Sequence, residues 1–318
     1  MIDITEHILG TLTTFEREAA FEAGVQHAEH GSHRDQYELA KLKHRNVREA
    51  YGFKRADADV LTAPTDNDKL AKGVVPAYGW TGQSAYTKLA DGTWVNACPN
   101  AGHCTKVCVL HNGNGAYPRV QRARDYRTDF AVNETASWLF LLGYELKRAV
   151  IKHGNILFRP NVNTDLEWHR ILPSLADGGM GGRIMSYGYT KRPDVLSVPG
   201  GWHGPHFRES CSWNENSDPF TVRYFMHGGG AVAMVTSRAK GDPVDRDAIL
   251  RFLCDVGCDV PVIDADLTDE WMLSRSTAVI GDLSAKGSAR SLIGKSGFVV
   301  NLKVASETVT PVRLLLSV

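Results

Sequence analysis

The chain is predicted to be an α/β protein, a (β/α)8-like or partial parallel barrel preceded by a small helical segment. Three observations carry this prediction. Eight short apolar runs recur after residue 70, each ending in polar or Gly-rich residues. Helical stretches lie between several of them, and strands that alternate with helices build parallel sheets. The first seventy residues are different, polar and charged with sparse apolar positions. We therefore divide the 318 residues into a charged helical segment over 1–70 and an α/β barrel-like domain over 71–318.

Between Thr14 and Tyr51 there is no Pro, and Gly occurs only at Gly24 and Gly31. The spacing of Phe15, Ala19, Phe21, Leu39, Leu42 and Val47 predicts two helices broken near Gly31-Ser32. The second helix and its continuation carry Lys41, Lys43, Arg45, Arg48, Lys54 and Arg55 with only Glu49 opposing. Such a face either contacts phosphates or, more commonly, is simply solvated. His27, His30, His33 and His44 are irregularly spaced among polar residues and are expected on the surface.

The eight runs are Thr93–Ala97, Asn155–Arg159, Arg183–Tyr187, His206–Cys211, Ala231–Thr236, Asp259–Asp264, Thr277–Asp282 and Gly297–Leu302. Helices are predicted over Glu134–Lys152, where Trp138, Leu141, Leu142, Glu145 and Leu146 keep helical spacing, and over Val244–Asp255. Arg192–Pro205, between the third and fourth runs, is too rich in Pro and Gly for a helix.

Composition narrows the function. Hydrophobic residues make up 43% and charged residues 23%, enough to bury a core. Thirty-six basic residues balance thirty-six acidic ones, so contact with nucleic acid or membrane must come from a local patch. No apolar run approaches the ~18 residues of a membrane span. The start, Met1 to Glu6, lacks the basic and apolar regions of a signal peptide, so a cytoplasmic protein is expected.

In parallel α/β folds, ligands sit at the carboxyl ends of the strands. Nearly every run here exits into carboxylates, amides, lysines or cysteines, which is our main reason for expecting an enzyme. The first exits into Cys98, Cys104 and Cys108, spaced C-x5-C-x3-C. Three thiolates on one loop suit either three corners of an iron–sulfur cubane or three ligands of a zinc ion, with His103 or His111 as the fourth. Cys254 and Cys258 are a ligand pair or, more commonly, two structural cysteines, and Cys211 is expected in the core.

Downstream, Gly113-Asn114-Gly115 opens onto a helix with Arg119, Arg122, Arg124 and Arg127. That is either an anion site, with Arg124 and Arg127 as substrate contacts, or a turn and an exposed basic helix. Asp165, Glu167, Glu215, Asp264, Asp266 and Asp269 all follow predicted strands. Converging carboxylates raise one another's pKa and make acid/base pairs or nucleophiles. Asp165 and Asp266 are the preferred pair, with Glu215 and Lys191 as further catalytic candidates; Glu167 and Asp269 serve equally well as helix caps. Asn163, Tyr189 and Lys286 complete the expected substrate contacts, and a structural salt-bridge network is the alternative.

The cysteine loop with Gly113, Gly115, Val120, Arg124 and Arg127-Thr128 resembles the phage gene product 88 family. So do Phe158-Arg159 with Asn163–Trp168, the Tyr187-Gly188-Tyr189-Thr190-Lys191 segment, and Asp264-Ala265-Asp266 with Gly281 and Ala285-Lys286-Gly287. These segments span residues 68–302, and the chain departs from the family at Asn161 and Val162. The resemblance implies a phage or prophage origin and, with it, the host cytoplasm. A cysteine loop opening a partial barrel is also similar to the layout of radical S-adenosylmethionine enzymes, whose usual motif is C-x3-C-x2-C. That similarity implies a [4Fe–4S] cluster on Cys98, Cys104 and Cys108 and S-adenosylmethionine as a cofactor, although no glycine-rich motif for it follows the second run. The leading expectation is a metal-dependent enzyme that modifies a base, nucleotide or nucleic acid. One alternative resembles the guanine transglycosylases, exchanging a base through Asp165 and Asp266. The other is a zinc-stabilised protein that binds DNA or a host protein.

Overall fold

The computed structural model describes residues 1–53, 59–67, 70–108, 113–253, 260–273 and 278–305. Lys54, Arg55, His111, Cys254 and Cys258 lie outside them. Asp3 opens the first helix, α1 (Ile4–Thr11), by accepting the Thr5 and Glu6 amides. Thr13 opens α2 (Thr14–His30) through a reciprocal capping box with Glu16. Both caps satisfy N–H groups that a helix start leaves unpaired. α2 stops at Gly31, whose φ of +71° is left-handed backbone, and α3 (Arg34–Ala50) follows. The pair breaks where the glycine predicts.

Two further helices, α4 (Pro118–Asn133) and α5 (Thr135–His153), join them. α2 and α5 cross at two glycines. A Cβ on Gly24 would stand 1.9 Å from the Phe140 carbonyl oxygen, and one on Gly143 would stand 2.2 Å from that of Phe21. Only glycine permits that approach. One apolar cluster runs from Ile4, Ile8 and Phe21 to Trp80, Trp138 and Trp168, so the N-terminal helices share the core of the following residues. His44 corrects the surface expectation. It is buried, with its ring 4.9 Å from Phe130 and 5.7 Å from Tyr126. Ala40, His44 and Arg48 form the inward face of α3, at the four-residue spacing that aligns side chains on one side.

The sheet strands are β1 (Ala77–Gly79), β2 (Ile156–Arg159), β3 (Ile184–Thr190) and β4 (Phe207–Ser212). They continue as β5 (Ala231–Thr236), β6 (Val262–Asp264), β7 (Val279–Ser284) and β8 (Val299–Val300). The order is β1-β2-β3-β4-β5-β7-β6 with every neighbour parallel. β8 pairs in parallel with the end of β5, Val299 beside Val235. This is a half-barrel, with β1 and β6 as its edges. β4 and β5 are buried on both faces; Ala231–Met234 reads as a continuous apolar run, whereas β4 buries Arg208, Glu209 and Ser210. Helices α6 (Pro219–His227) and α7 (Arg246–Leu253) pack on it. Among the described residues no helix is long and apolar enough to cross a membrane.

The run at Thr93–Ala97 is a correction. Trp94–Asn96 belongs to a separate three-stranded sheet, parallel to Ile2–Asp3 and antiparallel to Thr87–Lys88. Trp94 is exposed while Val95 and Asn96 are buried, and the strand pairs only within this small sheet. The sheet edge is taken instead by Ala77–Gly79, whose three residues after Pro76 are too few to show a period.

Candidate functional site

A cavity of about 240 Å³ opens at the carboxyl ends of the parallel strands. Arg159 ends β2, Ser212 ends β4, Tyr189 and Lys191 flank the end of β3, and Val235 and Leu283 come from the last turns of β5 and β7. Cys98, Cys104 and Cys108 complete the wall opposite Asn163 and Asp165. The site therefore lies where a parallel sheet gathers its loops.

Local hydrogen bonds shape the cysteine loop. The Cys98 amide donates to Asn96 Oδ1 at 2.9 Å, and the Thr105 hydroxyl donates to the Gly102 carbonyl at 2.8 Å, at the start of a 3-10 turn over His103–Val107. The Asp165 amide donates to the Ala97 carbonyl at 2.7 Å and ties the two facing loops together. The His103 amide donates to Glu215 Oε1. Glu215 thus holds the loop from β4's exit and does not line the cavity. Asn161 organises the opposite loop. Its Oδ1 accepts from Thr164, the Leu166 amide and the Trp168 indole at 2.8, 3.0 and 3.2 Å.

The electrostatics centre on Lys191. Burial alone would lower its pKa, but Cys104, Asp165, Cys98 and Cys108 face it and raise the net value. Burial and the Asp165 charge push the Cys98 thiol well up, with Lys191 pulling the other way. Cys104 is raised by burial against the same lysine. Asp165 is buried and raised by that burial, opposed by Arg192 and Lys191. Its Oδ2 accepts the Lys191 amide at 3.2 Å, while Oδ1 has no partner, like Asn163 Oδ1 beside it. Tyr189 donates to Asp269 Oδ1 at 2.7 Å, and Arg159 pairs with the other Asp269 oxygen while lying 5.1 Å from the Tyr189 ring centre.

Other expected site residues lie elsewhere. Asp266 accepts from Ser284 and Lys286, with Arg238 at 3.3 Å, in a network that includes Asp264 and Asp282. Burial would raise its pKa, but Lys286 and Ser284 bring it below the usual range. Neither Asp266 nor Lys286 lines the cavity, so the two preferred aspartates are not brought together. The reason is topological: β6 sits outside β7, and Asp266 follows the edge strand. Arg124 and Arg127 line a neighbouring groove. Cys211 is buried, its thiol pushed up to about 12 by that burial. Arg159, Asn161 and Phe298 also line the cavity, though none was among the candidate site residues; Arg159 ends a predicted strand and Asn161 follows it, whereas Phe298 carried no signal.

The candidate metal-ligating groups fall into two kinds, the thiols of the cysteine loop and clusters of His with Glu or Asp. Among the described residues, the ligand sets within 4.8 Å of one another are His169, His203 and Glu209, and Glu167, His169 and Asp194. Neither contains a cysteine: Cys98, Cys104 and Cys108 line one cavity, but their Sγ atoms do not all lie within 4.8 Å of one another. Tetrahedral zinc at ~2.3 Å would place its sulfurs about 3.8 Å apart, whereas a cubane gives each thiolate its own iron. In the histidine set, Arg192 already occupies Glu209 Oε2, where His203 Nε2 also approaches to 2.7 Å. Glu209 Oε1 is buried without a hydrogen-bond partner.

No curated protein and no solved structure matches the chain. A family model described as Gene product 88 matches residues 56–301, which takes in the cysteine loop, the Tyr-Thr-Lys segment and every strand of the half-barrel. On that match, the chain belongs to the Gene product 88 family.

Proposed function

We propose that this protein is an iron–sulfur enzyme that modifies a base, nucleotide or nucleic acid in the host cytoplasm. The observation that carries the reading is the arrival of three thiols from one loop at the carboxyl-end cavity, facing Lys191 and Asp165. Cys98, Cys104 and Cys108 would hold the cluster, leaving one iron without a protein ligand. Bound there, it would supply one-electron chemistry, with S-adenosylmethionine as the co-substrate that an open iron suits.

The chain's own residues have separable tasks. Lys191 offsets the negative charge that thiolates bring into a buried wall, and metal binding requires those thiolates. Asp165 presents an unpartnered oxygen to the cavity and is held towards its protonated form by burial, the property of a group that exchanges a proton with substrate. Asn163 offers a second unpartnered oxygen for orienting a polar ligand. Asp269 accepts from both Tyr189 and Arg159 and so links two residues of the wall.

The test is metal and sulfide content with an absorption spectrum on protein purified without oxygen or chelator. About four irons per chain and a broad band near roughly 400 nm, both absent from a Cys98/Cys104/Cys108 triple Ala variant, are expected. One zinc per colourless chain overturns the reading.

A further inference from the structure

The end of α3 and the first turns of α4 enclose a groove of about 840 Å³ that the reaction site does not use. Five arginines line it: Arg48, Arg119, Arg122, Arg124 and Arg127. Asp66 is the one acid among the lining residues, and Asp125 acts on Arg124, but among the described residues none of the five arginines forms an ion pair with a carboxylate. Arg48 is 2% exposed, yet its Nε and Nη1 make no hydrogen bond. Its guanidinium rests against the Tyr126 and Phe53 rings at 5.6 and 6.0 Å. Arg124 and Arg127 also have unpartnered buried Nε atoms. A buried cation without a counter-charge is costly, and like-charged neighbours add to the cost. An anionic ligand removes it.

The dimensions indicate which anion. Arg119 to Arg127 covers eight residues of α4, about 12 Å at ~1.5 Å per residue. That is too long for one phosphate and suits successive phosphates of a chain. Arg48 is almost wholly buried, so a ligand that meets it has to enter the groove, which a flexible single strand does more readily than a rigid duplex. The groove lies close to the cavity: Arg124 in its lining feels the charge of Cys108 in the cavity wall. Thr81 lines the groove and Ser84 the cavity, three residues apart on one loop.

We propose that this groove binds the phosphodiester backbone of single-stranded nucleic acid and guides the strand to the thiol cavity. The inference rests on the reading of that cavity as the reaction site and narrows its substrate to a polymer. The balanced net charge of the chain makes such binding local to this groove.

The test is fluorescence anisotropy of the full chain with a labelled DNA single strand of about 15 nucleotides, from about 50 to about 200 mM salt. Binding that weakens with salt is expected. Arg119→Glu with Arg122→Glu, both on the open side of the groove, should weaken it at least about tenfold and flatten the log–log salt slope by about 0.7 for each phosphate no longer neutralised. Arg48→Met should weaken it as well; if that variant does not fold, the Arg119/Arg122 pair decides. No binding at the lowest salt, or unchanged affinity in the pair, overturns the proposal. So does a nucleoside monophosphate that competes as well as the strand at equal phosphate concentration, which would make the groove a nucleotide site. Iron is measured on the same samples. Iron without DNA binding refutes the groove alone, and DNA binding without iron refutes the cluster alone.

Discussion

A Cβ on Gly102 would stand 1.8 Å from Glu215 Oε1, so a side chain at residue 102 would displace the Glu215 carboxylate from the cysteine loop. The same Glu215 oxygen accepts the His103 amide. Through this pairing the loop is tied to the sheet. Gly102→Ala is expected to cost about 1–3 kcal/mol through overpacking and to lower the iron retained per chain. Glu215→Gln keeps an acceptor and should do less on both counts. Thermal unfolding and iron analysis of the two variants test this, and a Gly102→Ala protein with full iron would contradict it.

Asp165 and Asp266 should separate by assay. Asp165→Asn removes a cavity carboxylate and is expected to abolish turnover with the melting temperature nearly unchanged. Asp266→Asn breaks the bonds from Lys286 and Ser284 and should cost about 1–3 kcal/mol, with turnover per folded molecule preserved. Equal turnover losses in both would place Asp266 at the reaction after all.

His44 gives a pH dependence with a definite sign. Burial, then the charges of Arg48, Lys41 and Arg127, hold its pKa at about 3, below the ordinary 6.5. Its folded pKa is depressed, so the unfolded chain takes up the proton first as pH falls. Stability is full above pH 6.5 and declines by up to a few kcal/mol towards about pH 3. His44→Phe keeps the ring between Tyr126 and Phe130 and should flatten that part of the curve. Urea unfolding of both proteins across this range measures the difference.

Asp269 holds two partners of unequal importance. Removing its charge in Asp269→Asn strands the buried Arg159 guanidinium and is expected to cost about 3–5 kcal/mol. Tyr189→Phe deletes only one hydroxyl and should cost about 1 kcal/mol. Urea midpoints in the reverse order would refute this assignment.

Cys211 is the control for the thiol set. It is buried in the apolar cluster of α6, α7 and β5, its thiol kept protonated. Cys211→Ala should retain full iron and give up about 1 kcal/mol to a small cavity. Each single alanine at Cys98, Cys104 or Cys108 should lower the iron content.

Seven of the eight runs fall on strands of the half-barrel, most plainly β5, where a strand covered on both faces carries its burial in consecutive residues. The same pattern misplaces Trp94–Asn96, where three residues do not reveal which sheet they join, and it misses Ala77–Gly79 altogether. His44 is hidden for a related reason: α3 turns a polar ring and a guanidinium inward, so its stripe does not look apolar. The cysteine loop and the Tyr-Thr-Lys segment are legible as site residues, since both follow apolar runs and carry reactive groups.

By itself, then, the sequence determined the parallel α/β class, the two N-terminal helices, the cysteine loop and the family to which they belong. These follow from patterns of a few neighbouring residues. Only the tertiary structure decided which polar side chains share a cavity. Asp165 and Asp266 occupy the same kind of position in sequence, just past a strand. β6 lies outside β7 at the sheet edge, so one aspartate faces the thiols and the other is bound by Lys286. Five arginines spread over two helices became one groove in the same way, because strand order and helix crossing are set by long-range packing that no local spacing records.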